Sequence, residues 1–138
     1  MPKEIILKKI EQIKDLLAEL ERLLKRPVVE FTQDLTAIRA AERNFQLMVE
    51  LASDINATIL IDAGKSTPDS YRQSFADLQK LGVIANELSL ALVTSAKLRN
   101  ILVHEYDFEE DYEKFYVSAK QMAPGYKKYI EAILKYIQ

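Results

Sequence analysis

The sequence predicts an all-α fold, an up-and-down antiparallel bundle of four to five helices in one domain spanning residues 1–138. Three observations predict it. Only 3 Gly and 4 Pro occur in 138 residues, too few for an all-β chain, which needs a turn signal roughly every 8–12 residues. Hydrophobic residues make up 49% and charged residues 29% of the chain, the composition of a protein that buries a core rather than of a disordered one. Apolar residues recur at spacings of three and four along long stretches, the helical period. A length of 138 residues matches one domain at roughly 100–200 residues each.

The first element shows the period most clearly. Ile6, Ile10, Ile13, Leu17, Leu20 and Leu24 form a heptad-like seam, which predicts a helix from about Lys3 to Arg26, ended by Pro27 and the β-branched Val28 and Val29. A second long helix is predicted from about Thr32 to Ala63, with Leu35, Ile38, Phe45, Met48, Ala52, Ile55 and Ile59 on its inward stripe and Gly64 as its stop. The polar run from Lys65 to Ser70 reads as a loop. Tyr71 to Leu81 reads as a short helix closed by Gly82. Asn86 is a candidate N-cap for the next helix, whose inward stripe is Leu88, Leu92, Ser95, Leu98 and Leu102. Asp107 and Glu110 have capping-box spacing, so a further helix is expected to begin near Phe108. Its stripe, Tyr112, Phe115, Ala119, Met122, Tyr126, Tyr129, Ile133 and Ile137, keeps phase through Pro124-Gly125, which predicts one kinked helix rather than two.

Composition removes several chemistries. The chain has no Cys and a single His, so disulfides, thiolate nucleophiles and Cys- or His-rich metal sites within one subunit are not expected. A net charge of −2 sets up no global attraction for nucleic acid, which leaves only local basic patches. The charged N-terminus has no apolar signal region and no stretch reaches 18 apolar residues, so a cytoplasmic location is expected.

Two motif-like stretches have structural explanations. Gly64-Lys65-Ser66-Thr67 resembles the end of a phosphate-binding loop, but Ile59 stands where that motif requires another Gly, and Gly64 reads as a helix stop. Asp107, Glu109, Glu110 and Asp111 read as a solvated run complementing a helix N-terminus. The informative stretch is Leu98-Arg99-Asn100-Ile101-Leu102-Val103-His104-Glu105-Tyr106-Asp107. Its Ile101, Leu102 and Val103 are expected to face the bundle, between Arg, Asn, His and Tyr side chains with chemical capacity. On spacing alone, a lone His at a helix end is explained by the helix dipole, and Tyr106 by packing or capping. Arg99 and His104 lie about 140° apart on an ideal helix, so they converge only where the helix ends or where two chains meet.

Arg99 to His104 has the R-x4-H spacing of HEPN-domain ribonucleases, and the stretch through Tyr106 resembles the R-x4-H-x-Y motif of HepT-type toxins. Ala41-Glu42-Arg43, Asp54-Ile55, Pro68-Asp69-Ser70-Tyr71 and the stretch from Phe75 to Gly82 resemble the same family in the same order, so the resemblance spans nearly the whole chain. It implies a HEPN-like helical bundle that acts as a dimer. It also implies an endoribonuclease toxin of a toxin–antitoxin system, whose partner is an MntA-type minimal nucleotidyltransferase antitoxin that adenylylates the motif tyrosine. Carried over residue by residue, Arg99 and His104 are catalytic, Asn100 supports them and Tyr106 is the modification site.

The residue types suit RNA cleavage without metal or cofactor. The substrate's own 2′-hydroxyl attacks, His104 moves protons, and Arg99 stabilises charge on the phosphorane-like transition state. An imidazole with an unperturbed pKa near 6.5 serves either proton-transfer role. One His per chain supplies one such group, and a twofold homodimer supplies a second. Arg39 and Arg43, one helical turn apart, are candidates to hold the RNA backbone, although such a pair also serves as plain surface or as ion-pair partners. Two other functions compete with a ribonuclease toxin. One is a non-catalytic HEPN substrate-binding subunit of a minimal nucleotidyltransferase, and the other is a structural dimer held by the first helix's Ile/Leu seam.

Overall fold

The structure, a computed structural model, describes residues 2–104 and 111–138, except that the side chain of His104 lies outside the description. The described elements are all helices: α1 (Lys3–Leu24), α2 (Val28–Phe31), α3 (Leu35–Asp62), α4 (Tyr71–Lys80), α5 (Asn86–His104) and α6 (Tyr112–Tyr136). Six stand where four or five were expected, because the chain after Pro27 makes one further turn, α2, before α3 begins. That turn buries Phe31 against Tyr116, with ring centroids 5.3 Å apart.

The α1 seam is buried at all six positions and packs on α3. Lys9 pairs with Asp54 at 3.2 Å and Asn44 donates to the Leu16 carbonyl at 3.3 Å, so these two helices run antiparallel. The Glu21–Lys127 pair at 3.0 Å and the hydrogen bond from the Tyr116 hydroxyl to the Arg26 carbonyl at 2.8 Å make α1 and α6 antiparallel as well. The buried apolar side chains form one cluster drawn from α1 through α6. Leu35, expected on the inward stripe of α3, is instead 55% exposed, because it is the first helical residue and precedes the point where α3 meets the core.

Helix ends follow local chemistry. Asp34 caps α3, its carboxylate accepting from the Ala37 N–H at 3.1 Å, and the Arg26 guanidinium at 2.8 Å holds that carboxyl below its ordinary pKa. Ser70 caps α4 and Asp111 caps α6 in the same manner. The expected capping pair, Asp107 and Glu110, lies outside the described residues; within them, α6 begins at Tyr112. Asn86 is the first residue of α5 rather than its cap, since the Ala85 carbonyl already accepts from the Ser89 N–H. Gly64 and Gly82 stop α3 and α4 as expected, with φ of +78° and +88°, a conformation that glycine adopts without a Cβ penalty. In both stops the next residue's N–H reaches back five residues, from Lys65 to Leu60 and from Val83 to Leu78, which satisfies a terminal carbonyl. α6 continues as one helix through Pro124.

A buried polar chain links three helices. The Tyr129 hydroxyl lies 2.6 Å from Asn56 Oδ1, Asn56 Nδ2 donates to Ser74 Oγ at 3.1 Å, and Ser74 Oγ donates to the Tyr71 carbonyl at 2.7 Å. Beside it, the Tyr126 and Ser95 hydroxyls are 2.8 Å apart. Each buried hydroxyl or amide so satisfied avoids a desolvation cost of about 1–3 kcal/mol. Burial pushes both tyrosine pKa values well above the ordinary value, and a neighbouring tyrosinate would raise that of Tyr129 further. Because the folded-state pKa exceeds the unfolded one, this stability is fully present below about pH 10 and is lost as the pH rises beyond it. The melting temperature followed by circular dichroism is therefore expected to fall steeply above about pH 10, and less steeply in the Tyr126→Phe/Tyr129→Phe variant. Equal slopes in the two proteins would contradict this.

Candidate functional site

α5 carries the informative stretch, and Ser95 and Leu92 on its inner side anchor it in the core. One and two turns further on, the helix leaves the core. Ile101, expected to face the bundle, is 45% exposed, while Leu102 and Val103 are half-buried. α5 is a partly submerged helix that carries the described part of the motif, Arg99 to His104, in its last two turns.

Arg99 is the best-held side chain of the motif, only 11% exposed. Its Nε and Nη2 donate to Glu50 Oε2 of α3 at 3.3 and 3.0 Å, and its Nη1 donates to Asn100 Oδ1 at 3.2 Å. The guanidinium carbon lies 4.5 Å from the centroid of the Tyr71 ring at the start of α4. A guanidinium has five N–H donors in a planar fork, and the described residues engage three of them. A guanidinium held in this way from one edge and one face is suited to binding an oxyanion. The Glu50 carboxylate also compensates the partly buried charge, which would otherwise be costly.

Asn100 thus touches Arg99 directly. His104 is the last residue of α5. Tyr106 lies outside the described residues. Arg39 is not a bare cation: its Nη1 donates to Glu42 at 2.7 Å, its Nη2 donates to the Tyr112 hydroxyl at 3.3 Å, and its guanidinium lies over the Tyr112 ring. These partners raise its pKa, the Glu42 hydrogen bond most. Arg43, one turn along, is exposed. Neither Glu50 nor Tyr71 was singled out from the sequence as a partner of Arg99. Glu50 is 49 residues away in the chain, and no local spacing links the two.

Beside the Arg99 cluster lies a cleft of about 330 Å³, walled by Ser53, Asp54, Ala57, Pro68, Asp69, Ser70, Tyr71 and Asn100. Two of its walls, Tyr71 and Asn100, are the residues that hold Arg99. The buried polar chain ends at the Tyr71 carbonyl, so the core positions one wall of the cleft.

Comparison with known proteins gives a consistent result. The family model described as "Ribonuclease HepT-like" matches residues 6–133. An Archaeoglobus fulgidus protein named as a candidate RNase is 30% identical over 133 residues, covering 96% of this chain and 93% of its own. The tRNA nuclease HepT of Aphanizomenon flos-aquae is 34% identical over 98 residues, covering 70% of this chain and 65% of its own. Among solved structures, the tri-AMPylated HEPN toxin of Shewanella oneidensis in complex with an MNT antitoxin superposes with a TM-score of 0.86. It is 27% identical, over 95% of this chain and 97% of that one. A toxin–antitoxin structure with AMP-PNP gives 0.83 at 27% identity, over 94% of this chain and 97% of that one.

Proposed function

The chain belongs to the ribonuclease HepT-like family and is an RNase, and from that premise we propose that it is the toxin of a toxin–antitoxin pair, an endoribonuclease that cuts RNA without metal at a composite site in a homodimer. The observation that carries this reading is the state of Arg99, a guanidinium held by Glu50, Asn100 and Tyr71 at the start of the motif.

The chemistry follows from the residues. Arg99 takes the non-bridging oxygens of the scissile phosphate and stabilises the charge that builds there. His104 removes the proton of the attacking 2′-hydroxyl, and its counterpart in the second subunit protonates the leaving oxygen. Two observations support the dimer. Arg99 and His104 are on one continuous helix at positions about 140° apart. Leu90 and Ile101, eleven residues apart and so on one face of α5, are both exposed, as a helix that meets a second copy requires. Arg39 and Arg43 flank the path of the RNA backbone. The antitoxin is a minimal nucleotidyltransferase of the MntA type that adenylylates Tyr106. The alternative, a non-catalytic subunit that only binds substrate for a nucleotidyltransferase, gives no reason to fix the motif arginine so firmly.

Incubating the purified protein with RNA in excess EDTA, and sedimenting it at micromolar concentration, tests this function. Cleavage that persists in EDTA from a sedimenting dimer is expected. Cleavage abolished by EDTA would overturn the metal-free mechanism, and a monomer with full activity would overturn the composite site.

A further inference from the structure

We propose that the cleft beside Arg99 is a nucleobase subsite that admits the base next to the scissile phosphate and selects adenine and cytosine, which carry an amino group beside a ring acceptor, over uracil. The inference rests on the ribonuclease reading and adds a specificity to it.

Size, wall chemistry and position each support the assignment. A cleft of about 330 Å³ lies at the low end of small-molecule sites, roughly 300–1,000 Å³, large enough for one nucleoside but not two. Tyr71 offers an aromatic ring, and a base stacked on such a ring typically gains about 1–3 kcal/mol in single-strand recognition. The polar walls are dominated by acceptors. Asp69 at the loop before α4 and Asp54 on α3 are exposed carboxylates, and Asp54 also holds Lys9 at 3.2 Å. Carboxylates repel a phosphate and accept from amino groups, as Asp and Glu do from cytosine N4. Charge therefore sorts the nucleotide: the phosphate goes to Arg99 and the base to the acidic cleft.

Asn100 joins the two halves. Its Oδ1 accepts from Arg99, which leaves its amide NH2 to donate to a ring nitrogen or carbonyl of the base. An acceptor pair opposite one donor matches an amino group beside a ring acceptor, the edge of cytosine and adenine. Uracil presents the reverse edge, a carbonyl beside a ring N–H, and guanine does the same, so the carbonyl faces a carboxylate and the ring N–H faces the Asn100 amide donor.

The test uses oligonucleotides with a single ribonucleotide, and hence one cleavable phosphate, in which the bases on its two sides are varied one at a time. At one of the two positions uridine is expected to lower kcat/KM by about 10-fold or more against cytidine, since a base contact of this kind discriminates by roughly 1–3 kcal/mol. The Asp54→Asn/Asp69→Asn variant is expected to lose most of that ratio while still cutting. Equal cleavage of all four bases at both positions overturns the proposal, as does a preference that survives in the variant. A second readout separates it from the ribonuclease reading: calorimetric titration of the protein with cytidine and uridine monophosphates. If no RNA is cut, the ribonuclease reading fails, and equal or absent binding of the two nucleotides then overturns the subsite too. Tighter binding of the cytidine nucleotide, weakened by the double variant, upholds it.

Discussion

Arg99→Ala and His104→Ala are each expected to lower RNA cleavage by about 10²- to 10⁴-fold, the range that one proton-transfer group or one charge-stabilising donor contributes, and Arg99→Ala is also expected to lower the melting temperature. The two losses have different origins. Removing Arg99 deletes the donors for the phosphate and leaves the Glu50 carboxylate half-buried without its cation, so both transition-state binding and local charge balance suffer. Removing His104 takes away the chain's one imidazole, a group suited to proton transfer at neutral pH. Glu50→Gln separates the two further. It keeps the shape and one acceptor for Arg99 but not the charge, so a smaller loss is expected than for Arg99→Ala, and Glu50→Ala should lie nearer to Arg99→Ala. Single-turnover rates on one RNA, measured beside thermal melts, decide the matter. Wild-type rates in Arg99→Ala or His104→Ala would remove the residue from the mechanism.

Tyr106→Phe escapes neutralisation by a cognate nucleotidyltransferase while retaining cleavage. The effect is close to all or none, because the phenolic oxygen is the only atom that the substitution removes. Tyr106 stands two positions after His104 in the chain. On the proposed function, an adenylate at this position would add bulk and negative charge close in the chain to His104, and each would oppose an RNA phosphate. Mass spectrometry after incubation with the nucleotidyltransferase and ATP is expected to find one or more adenylates on Tyr106 and none on the phenylalanine variant. Modification at Tyr112 or Tyr116 instead would refute the assignment. Both of these hydroxyls already have partners: Tyr112 accepts from Arg39, and Tyr116 donates to the Arg26 carbonyl deep between α1 and α6.

The sequence by itself determined the helices, most of their ends and most of the core. Periodicity is a local property, and burial of a helix face follows it: all six seam positions of α1 are buried, as are Phe45, Met48, Ile55 and Ile59 of α3. Gly64 and Gly82 marked helix ends because a positive φ is written into glycine's lack of a Cβ. The stretch from Arg99 to His104 was singled out by its resemblance to a known family, since its spacing alone is also explained by a histidine at a helix end. Only the tertiary structure decided what surrounds Arg99. Glu50, Tyr71 and the walls of the cleft come from α3, the loop after it and α4, and their meeting depends on how three helices pack. It also decided that Ile101 faces outward, since α5 is apolar around much of its circumference and its period alone does not select an inner face. Spacing along one helix reports which side chains lie near one another on that helix. A site assembled across helices is set by packing between segments far apart in the chain, and no pattern within either segment records it.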